Sequence, residues 1–370
     1  MRWPVVLVLA ACGHEPAAPP PIHFLHTFDA DETELFNSTM AERGLAVDSS
    51  LVPFARGQQV ISEILRAGEH CPDLIRIDAT WLPELVAARL VVAPPAALVG
   101  LDWTPEARAL GELGGAMWGV PQTVDGLVVV RDADLPAPRD PSVDALVAAA
   151  RAVKTPQLPY PLAVRVDGYW LVPWLRGAGV ELAPGPGIDG DGARRALAAF
   201  AALFGDLVAP PPAAGGEAPE ELRRWRAHEV AYWVTGPWQV AALRDRDRVA
   251  VSPLAHAPRG GQLLVVPACS AHPADGWRLA SELTSVTVEL IFADAFATVP
   301  TRASALDSAP PLARAQYEAL RSAEMLPRST ATPLLFDDLN PALAAVVSGD
   351  ATAAEAIAGV RRGWHRLVER

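Results

Sequence analysis

The residues of this chain that could do chemistry mostly sit at the wrong spacing for it. Lys154 is the only lysine and no glycine precedes it, so there is no phosphate-cradling P-loop. No Gly-x-Ser-x-Gly nucleophile elbow occurs. His228-Glu229 is followed by Tyr232, where a zinc protease needs its second histidine. Gly185-Pro186-Gly187-Ile188-Asp189-Gly190 matches a dinucleotide fingerprint by letters, but it follows Pro184 instead of a strand and reads as a loop. The chain is therefore not expected to be an enzyme, and no metal or cofactor is expected. The side chains left over suit binding instead. Eleven tryptophans against four tyrosines favour large flat apolar contacts.

Cys12 is the exception, because its neighbours give it a covalent chemistry. Arg2 is a short basic start, residues 3–11 are apolar, and Leu9-Ala10-Ala11 precedes the cysteine. That order reads as a secretory signal over residues 1–11, and its ending resembles a bacterial lipobox. The resemblance implies acyl chains on Cys12. The run is too short to span a bilayer. The Pro/Ala-rich stretch to residue 21 reads as a tether. The expectation is an extracytoplasmic body in the cell envelope, anchored to a membrane by lipid.

The 359 residues after the signal suffice for two domains. With 51% hydrophobic residues, a sizeable core needs no disulfide. A net charge of −12 argues against nucleic acid, which needs a basic footprint. Cys71 and Cys269 either pair or stay reduced. Composition leans towards free thiols.

Hydrophobic periodicity places strands at 22–28, 45–54 and 74–77, with helices at 30–44, 57–67 and 81–90 between and after them. Alternation of this kind predicts an α/β fold with a largely parallel sheet. Further on, strands are expected at 119–130, 249–253 and 263–267, and helices at 143–153, from Pro173, at 193–207, 222–233 and 277–296, and from Ala313 onward. Residues 209–219, rich in Pro, Ala and Gly, read as a connection, and Gly260-Gly261 as a turn. No single linker divides the chain, so it is expected to cross between two lobes more than once.

The segment Trp225-Arg226-Ala227-His228-Glu229-Val230-Ala231-Tyr232-Trp233-Val234-Thr235-Gly236-Pro237-Trp238 resembles the F-x-x-G-K-A-A-M-x-x-x-G-P-W stretch of extracytoplasmic solute-binding proteins that serve ABC sugar importers, the maltose-binding-protein-like group. Pro72-Asp73-Leu74-Ile75 with Trp81, Trp118-Gly119-Val120-Pro121, Met325-Leu326-Pro327-Arg328 and Gly349-Asp350-Ala351-Thr352 resemble further family segments in the same order. The chain departs from the pattern at His228, where glycine is usual, at Glu229, where lysine is usual, and at Cys71.

That resemblance implies a type II periplasmic-binding-protein fold, two α/β lobes joined by crossing strands around a central cleft. It puts residues 22–124 with 252–304 in the first lobe and 125–251 with 305–370 in the second. Hinge closure would trap the ligand. A carbohydrate, oligosaccharide in kind, is the expected ligand, with ABC permease subunits as partners and a monomeric body. A polyol, glycerol phosphodiester or polyamine on the same fold is the alternative ligand, and an exported glycosidase-like enzyme the alternative class. Sugar faces need flat rings, and hydroxyls need carboxylates or amides. Carried over, Trp238 and Tyr169 become stacking rings, Asp125 and Asp167 acceptors, and Asp78 and Trp81 a cleft-facing loop. Asp78 also reads as an N-cap for the following helix, and Trp103, Trp118 and Trp174 as packing residues. In the family sheet the strand after Pro72 lies antiparallel beside 263–266, which would bring Cys71 towards Cys269.

Overall fold

The computed structural model describes residues 20–188, 190–211, 220–243 and 248–368. The signal, Cys12 and most of its tether lie outside the described residues, as does most of the connection at 212–219. Thirteen strands occur among the described residues. They are β1 (Ile22–His26), β2 (Val47–Leu51), β3 (Leu74–Asp78), β4 (Val91–Val92), β5 (Glu112–Leu113), β6 (Ala116–Met117), β7 (Val120–Gly126), β8 (Val128–Asp132), β9 (Leu162–Ala163), β10 (Tyr232–Thr235), β11 (Val249–Ser252), β12 (Pro258–Pro267) and β13 (Glu324–Met325).

Two sheets organise two lobes. The larger runs β13-β12-β3-β1-β2, with β4 and β7 also paired to β12. Its β1–β2 and β1–β3 pairs are parallel and β12–β3 is antiparallel. The smaller runs β11-β8-β10-β9. Leu74, Ile75 and Ile77 in β3, and Leu263 to Val266 in β12, have no solvent exposure. The continuous apolar run of β12 is what a strand in a sheet covered on both faces requires. Helices with one apolar face supply the cover, for example Phe54–Ala67, which buries Ile61 and Leu65 and ends at Gly68 in the left-handed region.

The chain crosses between the sheets three times. Strand β7 passes into β8, β11 into β12, and β13 into the helix Leu335–Ser348. At the first crossing Gly126 has φ of +150°, and a Cβ there would lie 2.5 Å from the Pro258 carbonyl oxygen. Only glycine fits both the backbone and the close approach of the second crossing.

Three local expectations fail for identifiable reasons. Gly260 and Gly261 are not a turn: both lie inside the ten-residue β12. A Cβ on Gly261 would sit 2.2 Å from the Thr123 carbonyl oxygen, so the glycines serve close strand packing. The helix expected over 222–233 covers only Glu220–Arg226. His228 then adopts φ of +56°, which no helix contains, and β10 follows. This is the position where the resembling segment carries glycine. Pro173 lies within the helix Gly168–Gly177 instead of opening it. Trp103 and Trp174 are buried and Trp118 is half-buried against the core, as expected.

Cys71 and Cys269 form a disulfide, with Cα atoms 5.9 Å apart. Antiparallel register, Val265 opposite Ile75, sets the start of β3 beside the end of β12.

Candidate functional site

The floor of the candidate site is built from three strands of the larger sheet. Side chains alternate along a strand, so Arg76 and Asp78 of β3 share a face. Gln262 stands opposite Asp78 on one side and Thr123 on the other, and Gly260 stands opposite Asp125. Between Gln262 and Leu263 the β7 register shifts and skips Gln122. Such a bulge re-aims a side chain. Here the Gln122 Oε1 accepts from Arg76 Nε at 2.9 Å. The same guanidinium donates to Thr27 Oγ1 at 2.8 Å and lies 4.5 Å over the Phe28 ring. Arg76 is buried, with Nε and Nη1 both engaged.

Asp78 accepts from Thr80 N at 2.8 Å and Thr80 Oγ1 at 2.5 Å through Oδ1. Its Oδ2 accepts from Gln262 Nε2 at 3.5 Å. The side chain therefore closes the Asp78–Thr80 turn and does not cap the next helix, Leu82–Ala87, directly. Burial raises its pKa, against Thr80 and Arg76. Burial, followed by the charge of Asp78, pushes Asp125 up to about 7, against the pull of Arg76 and Gln262. A Cβ on Gly260 would lie 3.0 Å from Asp125 Oδ1 and 3.8 Å from the Tyr169 hydroxyl. The bare backbone of β12 thus lets a carboxylate of one lobe and a phenol of the other converge.

The opposite wall comes from the helix Gly168–Gly177. Asp167 is its N-cap and accepts from Tyr169 N at 2.8 Å, so one oxygen is spent on the helix. Burial raises its pKa, and Arg165 opposes this. Arg165 in turn lies 4.8 Å over Trp170. The Tyr169 hydroxyl donates to the Pro258 carbonyl at 3.3 Å. Its ring neighbours Trp238 at 6.5 Å and Phe336 at 6.4 Å. Trp238 also meets Trp170 edge-on at 6.2 Å. Trp238 keeps 37% of its surface exposed, which is unusual for a residue so flanked.

Asp78, Asp125, Asp167, Tyr169 and Trp238 thus gather along one seam between the lobes. Trp81 stands apart, because only 6% of it is exposed. Its ring packs on Phe54 at 5.4 Å and covers Gly57, where a Cβ would lie 2.5 Å away. The turn at Asp78 faces outward while the tryptophan three residues on drops into the lobe. The exposed ring at that position is Phe54, with 54% of its surface open. Arg76, Gln262 and Phe54 escaped the reading of the sequence. Strand alternation from Asp78 could have found Arg76, and a lone glutamine before Leu263-Leu264-Val265-Val266 could have found Gln262. Nothing local marks Phe54. Among the described residues no three His, Cys, Asp or Glu side chains group as a metal site. No described helix is long and apolar enough to cross a membrane.

The raised pKa of Asp125 has a measurable sign. The folded chain keeps a proton that the unfolded chain loses near pH 4. The resulting stability is complete below about pH 4 and is lost as pH rises through about 7. Asp125→Asn cannot ionise and escapes that loss. Its ligand-free melting temperature, relative to the parent, should climb between pH 4 and 7 and level off above. Comparing variant with parent cancels the contributions of Glu289, raised to about 7 by burial, and His26, lowered to about 4 by burial. A difference that stays constant across this range would show that Asp125 ionises normally in the folded protein.

Residues 40–288 match the family model described as bacterial extracellular solute-binding protein. No match is found among curated protein sequences. Among solved structures, the GacH receptor of Streptomyces glaucescens, studied unliganded and with acarbose, superposes with a TM-score of 0.83 at 21% identity, over 94% of this chain and 98% of that one. Maltose-bound MalE3 of T. maritima gives 0.82 at 19%, covering 94% and 99%. The maltose/maltodextrin-binding domain MalE of Bdellovibrio bacteriovorus, bound to maltotriose, gives 0.81 at 12%, covering 95% and 100%. The fold shared with these structures is the two-lobed type II arrangement.

Proposed function

This chain belongs to the family of bacterial extracellular solute-binding proteins, and we propose that it captures a carbohydrate, oligosaccharide in kind, and delivers it to an ABC permease. The observation that carries the reading is the exposed Trp238 ring beside Tyr169, whose hydroxyl meets Asp125 across the bare backbone of Gly260. A flat apolar wall over a floor of hydrogen-bond acceptors complements a pyranose, which has apolar faces and a rim of hydroxyl donors. The structural relatives bound to maltose and maltotriose support the same ligand class. Capture follows from closure of the two lobes about the three crossings.

A thermal-shift panel of malto-, cello- and chito-oligosaccharides, monosaccharides, polyols and glycerophosphodiesters tests the reading. Ligand bound only to the folded state raises the melting temperature, by about 2.7 kcal/mol of stability at a hundredfold excess over Kd. A shift with oligosaccharides is expected. A response confined to polyols or phosphodiesters would overturn the carbohydrate assignment. Release of shorter sugars from a bound oligosaccharide would overturn capture in favour of hydrolysis.

The anchor belongs to the same proposal. Leu9-Ala10-Ala11-Cys12 supports acylation of Cys12 and an extracytoplasmic, membrane-tethered, monomeric protein. Cys12→Ala is expected to move the protein from the membrane to the soluble fraction of cells. Unchanged membrane retention would sink the lipid anchor.

A further inference from the structure

Resting on the carbohydrate reading, we propose that Phe54 is an outer stacking platform of the cleft and makes the protein select saccharide chains several units long. Phe54 has 54% of its surface open, and Pro53, Ala55 and Arg56 around it are exposed as well. A lone exposed apolar side chain is ordinary, but this ring is mounted. Trp81 lies beneath it, with ring centroids 5.4 Å apart and planes tilted by 36°. Trp81 is itself buried, and it fits over Gly57 only because that residue has no Cβ, which would fall 2.5 Å from the indole. Gln58 and Arg66 donate to the Glu84 carboxylate at 2.8 and 2.7 Å, which ties the helix Phe54–Ala67 to the helix Leu82–Ala87. A fixed indole therefore backs the Phe54 ring, while more than half of its surface stays open.

Strand order puts this platform on the rim of the cleft. Strands β1, β2 and β3 run parallel, so their C-terminal ends share one edge of the sheet, the edge at which open α/β sheets hold ligands. Asp78 ends β3, and Thr27, which accepts from Arg76, follows β1. Phe54 follows β2 at the same edge. Val52 N donates to the His26 carbonyl at 2.8 Å, and the helix begins two residues further on. Trp81 N donates to the Asp78 carbonyl at 3.0 Å, so the indole under Phe54 belongs to the turn that carries Asp78. In the order β13-β12-β3-β1-β2, Phe54 stands three strand spacings from β12, where Asp125 and Tyr169 meet over Gly260. At about 4.8 Å each, that is about 14 Å along the edge. One sugar ring cannot touch both places, and a chain of several can. Each further unit brings an apolar C–H face, which a flat ring covers whatever its hydroxyl pattern. Leu51, 49% exposed at the end of β2, extends the same apolar rim.

Titration calorimetry of the whole protein with malto-, cello- and chito-oligosaccharides, from disaccharide to pentasaccharide, tests the role of Phe54. In the series that binds, parent affinity is expected to rise with chain length. Phe54→Ala should weaken the longest member about tenfold and the shortest binding member less than about twofold. Phe54→Leu keeps an apolar cover over Trp81 but has no flat face, so it should lose as much, and it decides the question where the alanine variant fails to fold. Phe54→Tyr keeps the ring and should keep the parent affinity. A parent affinity that does not rise with length would overturn the outer platform and leave the carbohydrate reading standing. Equal losses at every length, or no loss at any, would do the same. A leucine variant that binds like the parent would make Phe54 a cover for Trp81 or a contact for another protein, and would also overturn the platform. No binding of any saccharide to the parent would overturn both.

Discussion

Replacing Cys71 and Cys269 together by serine is expected to lower the melting temperature by roughly 3–6 °C. The two cysteines are 198 positions apart, so their bond closes a loop holding the whole smaller sheet. Cross-linking so long a loop removes chain entropy from the unfolded state equivalent to about 5 kcal/mol, and measured effects are usually about 2–4 kcal/mol. The folded state should change little, because the same corner has its own bonds. Buried Asp73 accepts from His23 N at 3.0 Å and from Ser270 Oγ at 2.9 Å, tying β1, β3 and the turn after β12. Serine at both sites avoids a stray thiol. Calorimetric melting of parent and double variant without reductant gives the comparison. Coincident transitions would mean that the bond does not form in the protein as made, and a disulfide of this kind belongs to an oxidising compartment.

Trp238→Ala is expected to weaken saccharide binding on the order of 100-fold, equivalent to about 2–4 kcal/mol, as truncation of a binding hot spot does. The ligand-free melting temperature should move little. Trp238 is 37% exposed, and the ring that fills the lobe core beneath it is Trp170, whose Nε1 donates to the Val234 carbonyl at 2.8 Å. Removing a half-open ring leaves no closed cavity, whereas removing a core tryptophan costs about 3–5 kcal/mol of folding stability. Gly236 explains why the ring lies where it does. A Cβ there would fall 2.1 Å from the Trp238 ring, so the side chain folds back over its own glycine, and Pro237 then opens the helical turn Pro237–Val240. Affinity and melting temperature of the same variant separate the two roles. A large fall in melting temperature with unchanged affinity per folded molecule would show that Trp238 is a packing residue.

The sequence by itself determined most of the longer helices and strands and the order in which they alternate. Apolar periodicity is local, so the helices expected at 30–44, 57–67 and 143–153 were legible one at a time, and they stand at Ala30–Glu42, Phe54–Ala67 and Val143–Val153. Gly236-Pro237-Trp238 was legible because its glycine and proline act on their immediate neighbours. Only the tertiary structure decided which residues share the seam. Strand register put Gly260 inside β12 opposite Asp125, and a one-residue bulge turned Gln122 onto Arg76. Neither is visible in a chain where any pairing of strands is open. Packing put Trp81 inside the lobe, with the exposed Phe54 ring against it. Burial then raised the pKa of Asp125, a property of its surroundings that its residue type does not carry. Local propensity fixes which segments are helix or strand, while the contacts that build a site join residues tens or hundreds of positions apart, and only the packed lobes bring those together.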